Sequence, residues 1–393
     1  MAPPVPLQPI AISLATCILL YLAYTAFLRA RLLPQPPPDS ESLIDTTEVT
    51  YGSFPNQPYP SPPSAPSISA IAHKAPAIFR LPTHLLPTST NNRRLIILGD
   101  THGCLTELRS LLAHVHFNPA NDHVIFAGDV INKGPDSRGV LKLMREIGAS
   151  AVRGNHEDAV VRAWEEGGKR RKRVEGGKGG KGGKGGKKDG KEGKAEALAK
   201  ELGREDVEYI RSWPVILDLG ALGDAQDSQS EAVTDVRTDA TAAGALKKPK
   251  KHWGYAHASV VHAGLVPALP LASQDAFQVM NMRSISVSHH KPSHHSHHKS
   301  SHDSQPTTTY TPSASRDDGQ KWHEVWNSYQ ASLPKEDRRL VVYGHDSKQG
   351  LVEKEWSVGL DTGCVKGGRL SALVVGGGGM RVESVKAGRD WTS

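Results

Sequence analysis

Asp100 and His102 stand one residue apart in Gly-Asp-Thr-His-Gly at 99–103, and Asp129 opens Gly-Asp-Val-Ile-Asn-Lys-Gly at 128–134. Arg-Gly-Asn-His-Glu at 153–157 adds Asn155 and His156, and Val-His-Ala-Gly-Leu at 261–265 adds His262. Tyr343-Gly344-His345 adds a last imidazole. Carboxylate, amide and imidazole donors in this mixture suit two divalent cations held side by side. Asp129 is the natural bridge, because a carboxylate has lone pairs for two ions and lowers their repulsion. Asp100 and His102 then serve one ion, while Asn155, His262 and His345 complete the other. A water held between such ions loses a proton near neutral pH and can attack phosphorus in line. His156, next to Asn155, is placed to protonate a leaving oxygen as a general acid. The donors accept zinc, manganese, iron or cobalt alike.

Something rigid must bring these motifs together. Arg94 to Leu98 and His123 to Phe126 are short apolar runs, each followed by a glycine and then a helical pattern, about Leu105 to Val115 and Ser137 to Ile147. Residues 150–153 form a third short run leading into another helical stretch. Continuous apolar runs alternating with amphipathic helices predict buried strands of an α/β fold. The ligand site of such folds lies beyond the carboxyl ends of the strands.

Taken together, the motifs resemble the calcineurin-like metallophosphoesterases of the phosphoprotein phosphatase superfamily. The resemblance runs from about 93 to 385, with interruptions. It implies a four-layer fold, a two-sheet β-sandwich flanked by helices, and two metals. By that resemblance Asp100, His102 and Asp129 bind one metal, Asp129, Asn155, His262 and His345 the other, and His156 is the acid. Protein phosphatases of the superfamily carry an Asp-Arg pair where this chain has Asn132 and Lys133. Asn132 can accept a hydrogen bond from His156 but cannot stabilise an imidazolium by charge. Lys133 attracts phosphate as a point charge and cannot form a bidentate fork. The segment Gly359 to Val365 is similar to the diadenosine-tetraphosphatase branch. The runs Gln278 to Ile285 and Tyr343 to Gly350 are similar to the fungal vacuolar zinc-dependent endopolyphosphatases, which makes Arg283 a phosphate-binding residue. The expectation is hydrolysis of phosphoanhydride bonds, inorganic polyphosphate first, with Lys133, Arg153 and Arg283 holding neighbouring phosphates. A phosphoprotein phosphatase and a diadenosine tetraphosphatase are the alternatives.

Only part of the 393-residue chain can build a core, since aromatics make up 6% and Gly and Pro abound. The expected division is a short segment 1–9, an apolar span 10–28, a Pro/Ser-rich linker 29–92, a catalytic domain 93–386 and a tail 387–393. Low-complexity inserts at 167–194, 222–250 and 286–318 are expected as disordered surface loops. Much of the net charge of +7 comes from Lys169 to Arg173 and the lysines after them, a solvated insert or a tether for polyanions. Nucleic acid is a poorer partner, because no aromatics are interleaved for stacking. Three cysteines support no disulfide framework, and Cys104 and Cys364 read as inert thiols near the site.

The span 10–28 has no charged residue and the length of a transmembrane helix, so a signal anchor and a membrane partner are expected. Arg29 and Arg31 after it favour a cytosol-facing domain by the positive-inside rule. The endopolyphosphatase resemblance points instead to the vacuole lumen, which is preferred. Oligomeric state is left open.

Overall fold

The structure, a computed structural model, describes residues 77–88, 91–175, 190–223, 254–290, 307–376 and 379–392. The expected anchor at 10–28 lies outside these, as do 176–189, 224–253 and 291–306 of the expected inserts. Among the described residues no helix is long and apolar enough to cross a membrane.

Two sheets stack face to face. The first orders its strands as β14 (Gly379–Lys386), β13 (Arg369–Gly376), β2 (Arg94–Leu98), β3 (Asp122–Phe126) and β4 (Ser150–Ala151). The second runs β1 (Ile78–Arg80), β5 (Ile216–Leu222), β6 (Tyr255–Val261), β10 (Arg339–Tyr343), β12 (Ser357–Gly359) and β11 (Val352–Glu353). Because side chains alternate along a strand, Leu95 and Ile97 enter the core between the sheets while Ile96 and Leu98 enter the core beneath the helices. That explains why the sequence runs are apolar without a break: both faces are covered. Helices α1 (Leu105–His114), α2 (Ser137–Glu146), α3 (Asn155–Glu175) and α4 (Gly190–Arg211) supply residues such as Leu108, Leu141, Val160 and Leu202 to the outer core of the first sheet. Helices α5 (Ala276–Asn281) and α6 (Trp322–Ser332) cover the second sheet through Val279, Trp322 and Trp326. The result is the expected four layers, helix, sheet, sheet, helix.

Several boundaries differ from expectation. Strand β1 lies inside the expected linker and pairs in parallel with β5, and Leu81 after it is buried. Pro-rich composition concealed this short apolar stretch. The two ends of the expected insert 286–318 are strands: β7 (Ser284–His290) and β8 (Thr307–Ser313) pair antiparallel, with β9 (Gln320–Lys321) on the other side of β7. Threonine-rich sequence suits a strand, and Val287 and Tyr310 pack on the core. The insert 167–194 is likewise entered by helix, since α3 runs to Glu175 and α4 begins at Gly190. The tail is tied down: Trp391 donates its backbone N–H to Val365 and its indole N–H to Glu107, and Ala387 is buried. Cys104 and Cys364 are buried reduced neighbours, and contact with Cys104 together with burial pushes the Cys364 thiol far up, which keeps it inert.

His123 on β3 gives the fold an acid-sensitive point. It is buried against Ser150 Oγ at 2.8 Å, and burial, with the nearby charges of His84 and Arg93, lowers its pKa to about 4. Unfolded, it would titrate at about 6.5. The fold therefore holds its full stability above pH 6.5 and loses part of it as pH falls toward 4, because the unfolded chain binds a proton that the folded chain refuses. Urea unfolding at pH 7 and pH 5 should show wild type losing about 2 kcal/mol more than His123→Gln. Equal losses would remove His123 as the cause.

Candidate active site

Six parallel strand ends meet along one edge of the sandwich. Strands β2, β3 and β4 run parallel in the first sheet, and β6, β10 and β12 run parallel in the second. Just past their carboxyl ends come, in order, Asp100, Asp129 and Asn155, then His262, His345 and Asp361. Each sheet delivers three polar side chains to a cleft of about 120 Å³.

The donor atoms converge within metal-binding range. His262 Nε2 lies 3.3 Å from Asp129 Oδ1 and 3.0 Å from Asn155 Oδ1. His345 Nδ1 lies 3.1 Å from Asn155 Oδ1 and 3.2 Å from His262 Nε2. On the other side of Asp129, His102 Nε2 is 3.7 Å from both Asp129 Oδ2 and Asp100 Oδ2. Each ring turns its second nitrogen to a backbone carbonyl: His102 Nδ1 to Ile131, His262 Nδ1 to Ala127 and His345 Nε2 to Asn281. Those contacts fix the tautomers, leaving His102 Nε2, His262 Nε2 and His345 Nδ1 as lone pairs facing the cleft. Acceptor atoms this close call for positive charge among them, so the residues fit two divalent ions.

Burial and charge prepare the set. Burial lowers His102 to about 3 and, with His262 and Arg283 close by, takes His345 well below the usual range, so both are neutral. Asp129 is opposed by burial, but His262 and His156 overcome it and keep the carboxylate ionised. His262 shows the converse: burial lowers its pKa, and the Asp129 carboxylate, by charge and by hydrogen bond, more than restores it. Burial and the charges of Asp361 and Asp129 raise Asp100 well above the usual carboxylate range, as expected for acids crowded around an absent counter-charge. Lys133 Nζ contacts His102 Nε2 at 2.9 Å, a positive group occupying a lone pair that a metal would use.

The backbone is forced into place. His102, Asp129, Asn132, Lys133 and His345 all have positive φ, 48°, 47°, 75°, 69° and 73°. Such conformations cost energy in non-glycine residues and persist only where the surroundings over-determine them. Glu157, fully buried in the first turn of α3, is one such determinant. Its carboxylate accepts the N–H groups of Asp129, Val130, Ile131 and Gly154 at 2.8, 2.9, 3.1 and 2.8 Å. Burial and the adjacent Asp129 charge push Glu157 to about 7. Gly154 must be glycine, since a Cβ there would collide with Asp129.

His156 lies at the cleft with Nε2 3.8 Å from Asp129 Oδ2. Asn132 meets it differently from the sequence expectation. Asn132 Oδ1 accepts the Lys133 N–H at 2.8 Å, so its amide nitrogen is what faces His156 Nδ1 at 2.9 Å. Asn132 therefore donates to His156 and does not accept from it, and the ring proton of His156 is held on Nε2.

Of the expected phosphate-binding residues, Lys133 and Arg283 line the cleft and Arg153 does not. Arg153 faces Asp158 in the first turn of α3 at 3.8 Å, and its backbone N–H is bonded to the Pro214 carbonyl at 2.8 Å. Three residues that sequence reasoning missed line the cleft instead, Asp361, Arg316 and Lys366. Asp361 lies within the Gly359 to Val365 motif, and that motif was the available signal. Arg316 follows β8 in a polar stretch with none.

Comparison with known proteins agrees with this geometry. Residues 93–217 match the calcineurin-like phosphoesterase family. A serine/threonine-protein phosphatase 1 of Salmonella typhimurium is 44% identical over 73 residues, 19% of this chain and 34% of the relative. A symmetrical bis(5'-nucleosyl)-tetraphosphatase of Pectobacterium carotovorum is 52% identical over 64 residues, 16% of this chain and 22% of the relative. The matches thus span about a third or less of these relatives' own lengths. A crystal structure described as a putative diadenosine tetraphosphatase superposes with TM-score 0.50 and 26% identity, covering 79% of this chain and 98% of that one.

Proposed function

Since the chain carries a calcineurin-like metallophosphoesterase domain, we propose that it is a dinuclear-metal hydrolase of phosphoanhydride bonds, with inorganic polyphosphate as its substrate. The observation that carries this reading is the amide of Asn132 at His156. An amide at that position, unlike a carboxylate, offers no charge that would stabilise an imidazolium, which leaves His156 a less assisted acid. It suits a phosphate leaving group, which departs with little help, better than the alkoxide of a phosphoserine, which needs a proton.

Two bound ions would supply polarisation of phosphoryl oxygens and acidification of a water. The chain's own residues do the rest. Asp100, His102, Asp129, Asn155, His262 and His345 hold the ions, with Asp361 against Asp100. Lys133, whose Nζ contacts His102 Nε2 at 2.9 Å, would be available to a substrate oxygen once that lone pair held an ion. Arg283 reaches the cleft from beyond α5, braced by its Nη1 contact with the Ala314 carbonyl at 3.1 Å. His156 presents Nε2–H to the leaving oxygen. The proposed setting is the vacuole lumen, with the chain tethered through 10–28, on the strength of the sequence resemblance.

A second reading, dinucleoside tetraphosphate hydrolysis, is favoured by the names of the relatives and of the superposed structure. The deciding experiment offers the manganese- or zinc-loaded chain long-chain polyphosphate, diadenosine tetraphosphate and a phosphoserine peptide. Long chains should shorten to intermediate lengths on a gel, with kcat/KM at least about tenfold above that for the peptide. Turnover of the dinucleotide alone selects the second reading, and turnover of the peptide alone defeats both.

A further inference from the structure

We propose that Arg316 and Lys366 form a second phosphate subsite beside the metal centre, which receives the phosphoryl group next to the one attacked. The inference rests on the phosphoanhydride reading and says where the rest of such a substrate lies. Three consecutive residues build it. His345 turns its Nδ1 to the metal donors. Asp346, buried, grips the Arg316 guanidinium, with Nε at 3.0 Å and Nη2 in contact as well. Ser347 Oγ accepts from Lys366 Nζ at 3.0 Å. One short loop therefore sets a metal ligand and two cations side by side along one wall of the cleft.

The two cations arrive from unrelated parts of the chain. Arg316 follows β8, whose last residue Ser313 accepts the backbone N–H of Arg283 at 2.7 Å. The β7–β8 hairpin thus carries an arginine at each of its two bases, and both line the cleft. Lys366 comes from the turn after Asp361 and is exposed. Asp346 holds Arg316 by two of its nitrogens, leaving Nη1 uncommitted among the described residues. The hydrogen-bond partner of Lys366 is a neutral hydroxyl, and its charge also acts on Asp390. A single phosphoryl group has three non-bridging oxygens, for which two bound ions, Lys133 and Arg283 would suffice. Two further cations on the same wall are surplus for a monoester and suited to a neighbouring phosphate. Guanidinium and ammonium are the groups that bind phosphate oxygens, by fork and by point charge.

The test compares binding of orthophosphate and of imidodiphosphate, a pyrophosphate analogue whose P–N–P bridge resists cleavage, by calorimetry on the manganese-loaded full chain. Wild type should bind imidodiphosphate at least about tenfold more tightly than orthophosphate. In Arg316→Ala and in Lys366→Ala that advantage should shrink by about tenfold, with Arg316→Lys between. Lys366 is exposed, so its variant reports even if Arg316→Ala, which strands Asp346, unfolds. An unchanged ratio in both variants, or equal weakening of the two anions, overturns the subsite. The outcome is separable from the substrate assay. A wild type that prefers imidodiphosphate through Arg316 and Lys366 but leaves polyphosphate intact keeps the subsite and loses the proposed function. A wild type that cleaves polyphosphate with a ratio indifferent to both residues does the reverse.

Discussion

Asp129→Asn should strip the centre of its metals and lower kcat/KM by at least about a thousandfold, a loss of several kcal/mol of transition-state stabilisation. Asp129 is the residue whose two oxygens face both donor groups, Oδ1 toward His262 at 3.3 Å and Oδ2 toward His102 at 3.7 Å. Removing its charge removes the counter-charge of both ions at once. The substitution is also unusually clean. Asp129 holds φ at 47°, a conformation that asparagine tolerates well. The amide oxygen can still accept the His156 N–H, which meets Oδ1 at 3.1 Å. The fold should therefore survive, with a melting temperature near that of the wild-type apoprotein. Metal content by atomic emission, read beside turnover, checks the claim. Two ions retained with activity within tenfold of wild type would mean that Asp129 is not the bridge.

Glu157→Ala should destabilise the protein by at least about 4 kcal/mol, a fall of roughly 10 °C in melting temperature. It would leave four N–H groups in a buried loop cluster without their acceptor. Glu157→Gln should be nearly as harmful, because one half of its amide would face those N–H groups with hydrogens of its own. Both variants free the loop that fixes Asp129, so metal affinity should fall although Glu157 holds only the Asp129 backbone and supplies no donor atom itself. Thermal melts with and without manganese separate the two effects. A Gln variant with wild-type stability would show that the carboxylate is not what ties the loops together.

How legible the site was in the sequence depended on where each residue's role arises. Asp100, Asp129, Asn155, His262 and His345 each follow a run that becomes a buried strand, so a glycine-flanked polar residue after an apolar run was a local signal. Glu157 stood in a quoted motif, yet its four partners lie on two loops that only the folded chain brings together. Arg153 shows the opposite failure: proximity in sequence to Asn155 does not say which side of a strand end a long side chain takes. Arg316 and Lys366 owe their positions to Asp346 and Ser347, contacts 30 and 19 residues away in sequence. Strand β1 and the β7–β8 hairpin were hidden by composition. Proline and serine dominate one neighbourhood and histidine, serine and threonine the other, and pairing in a sheet overrode both.

The strand order of the first sheet bears on the moment in synthesis at which the site comes into being. Strand β2 carries Asp100 at its end, yet its partner on one side is β13, with Leu98 opposite Ala372. A growing chain that has emerged through Asn155 holds Asp100, His102, Asp129 and Asn155, and β2 still shows an open edge. His262, His345 and Asp361 arrive later, and β2 is closed only by the strand made after all of them. Long-range pairing of this kind forms late. The full donor set is therefore assembled only after the later strands are made, and a chain that ends early would leave these side chains scattered.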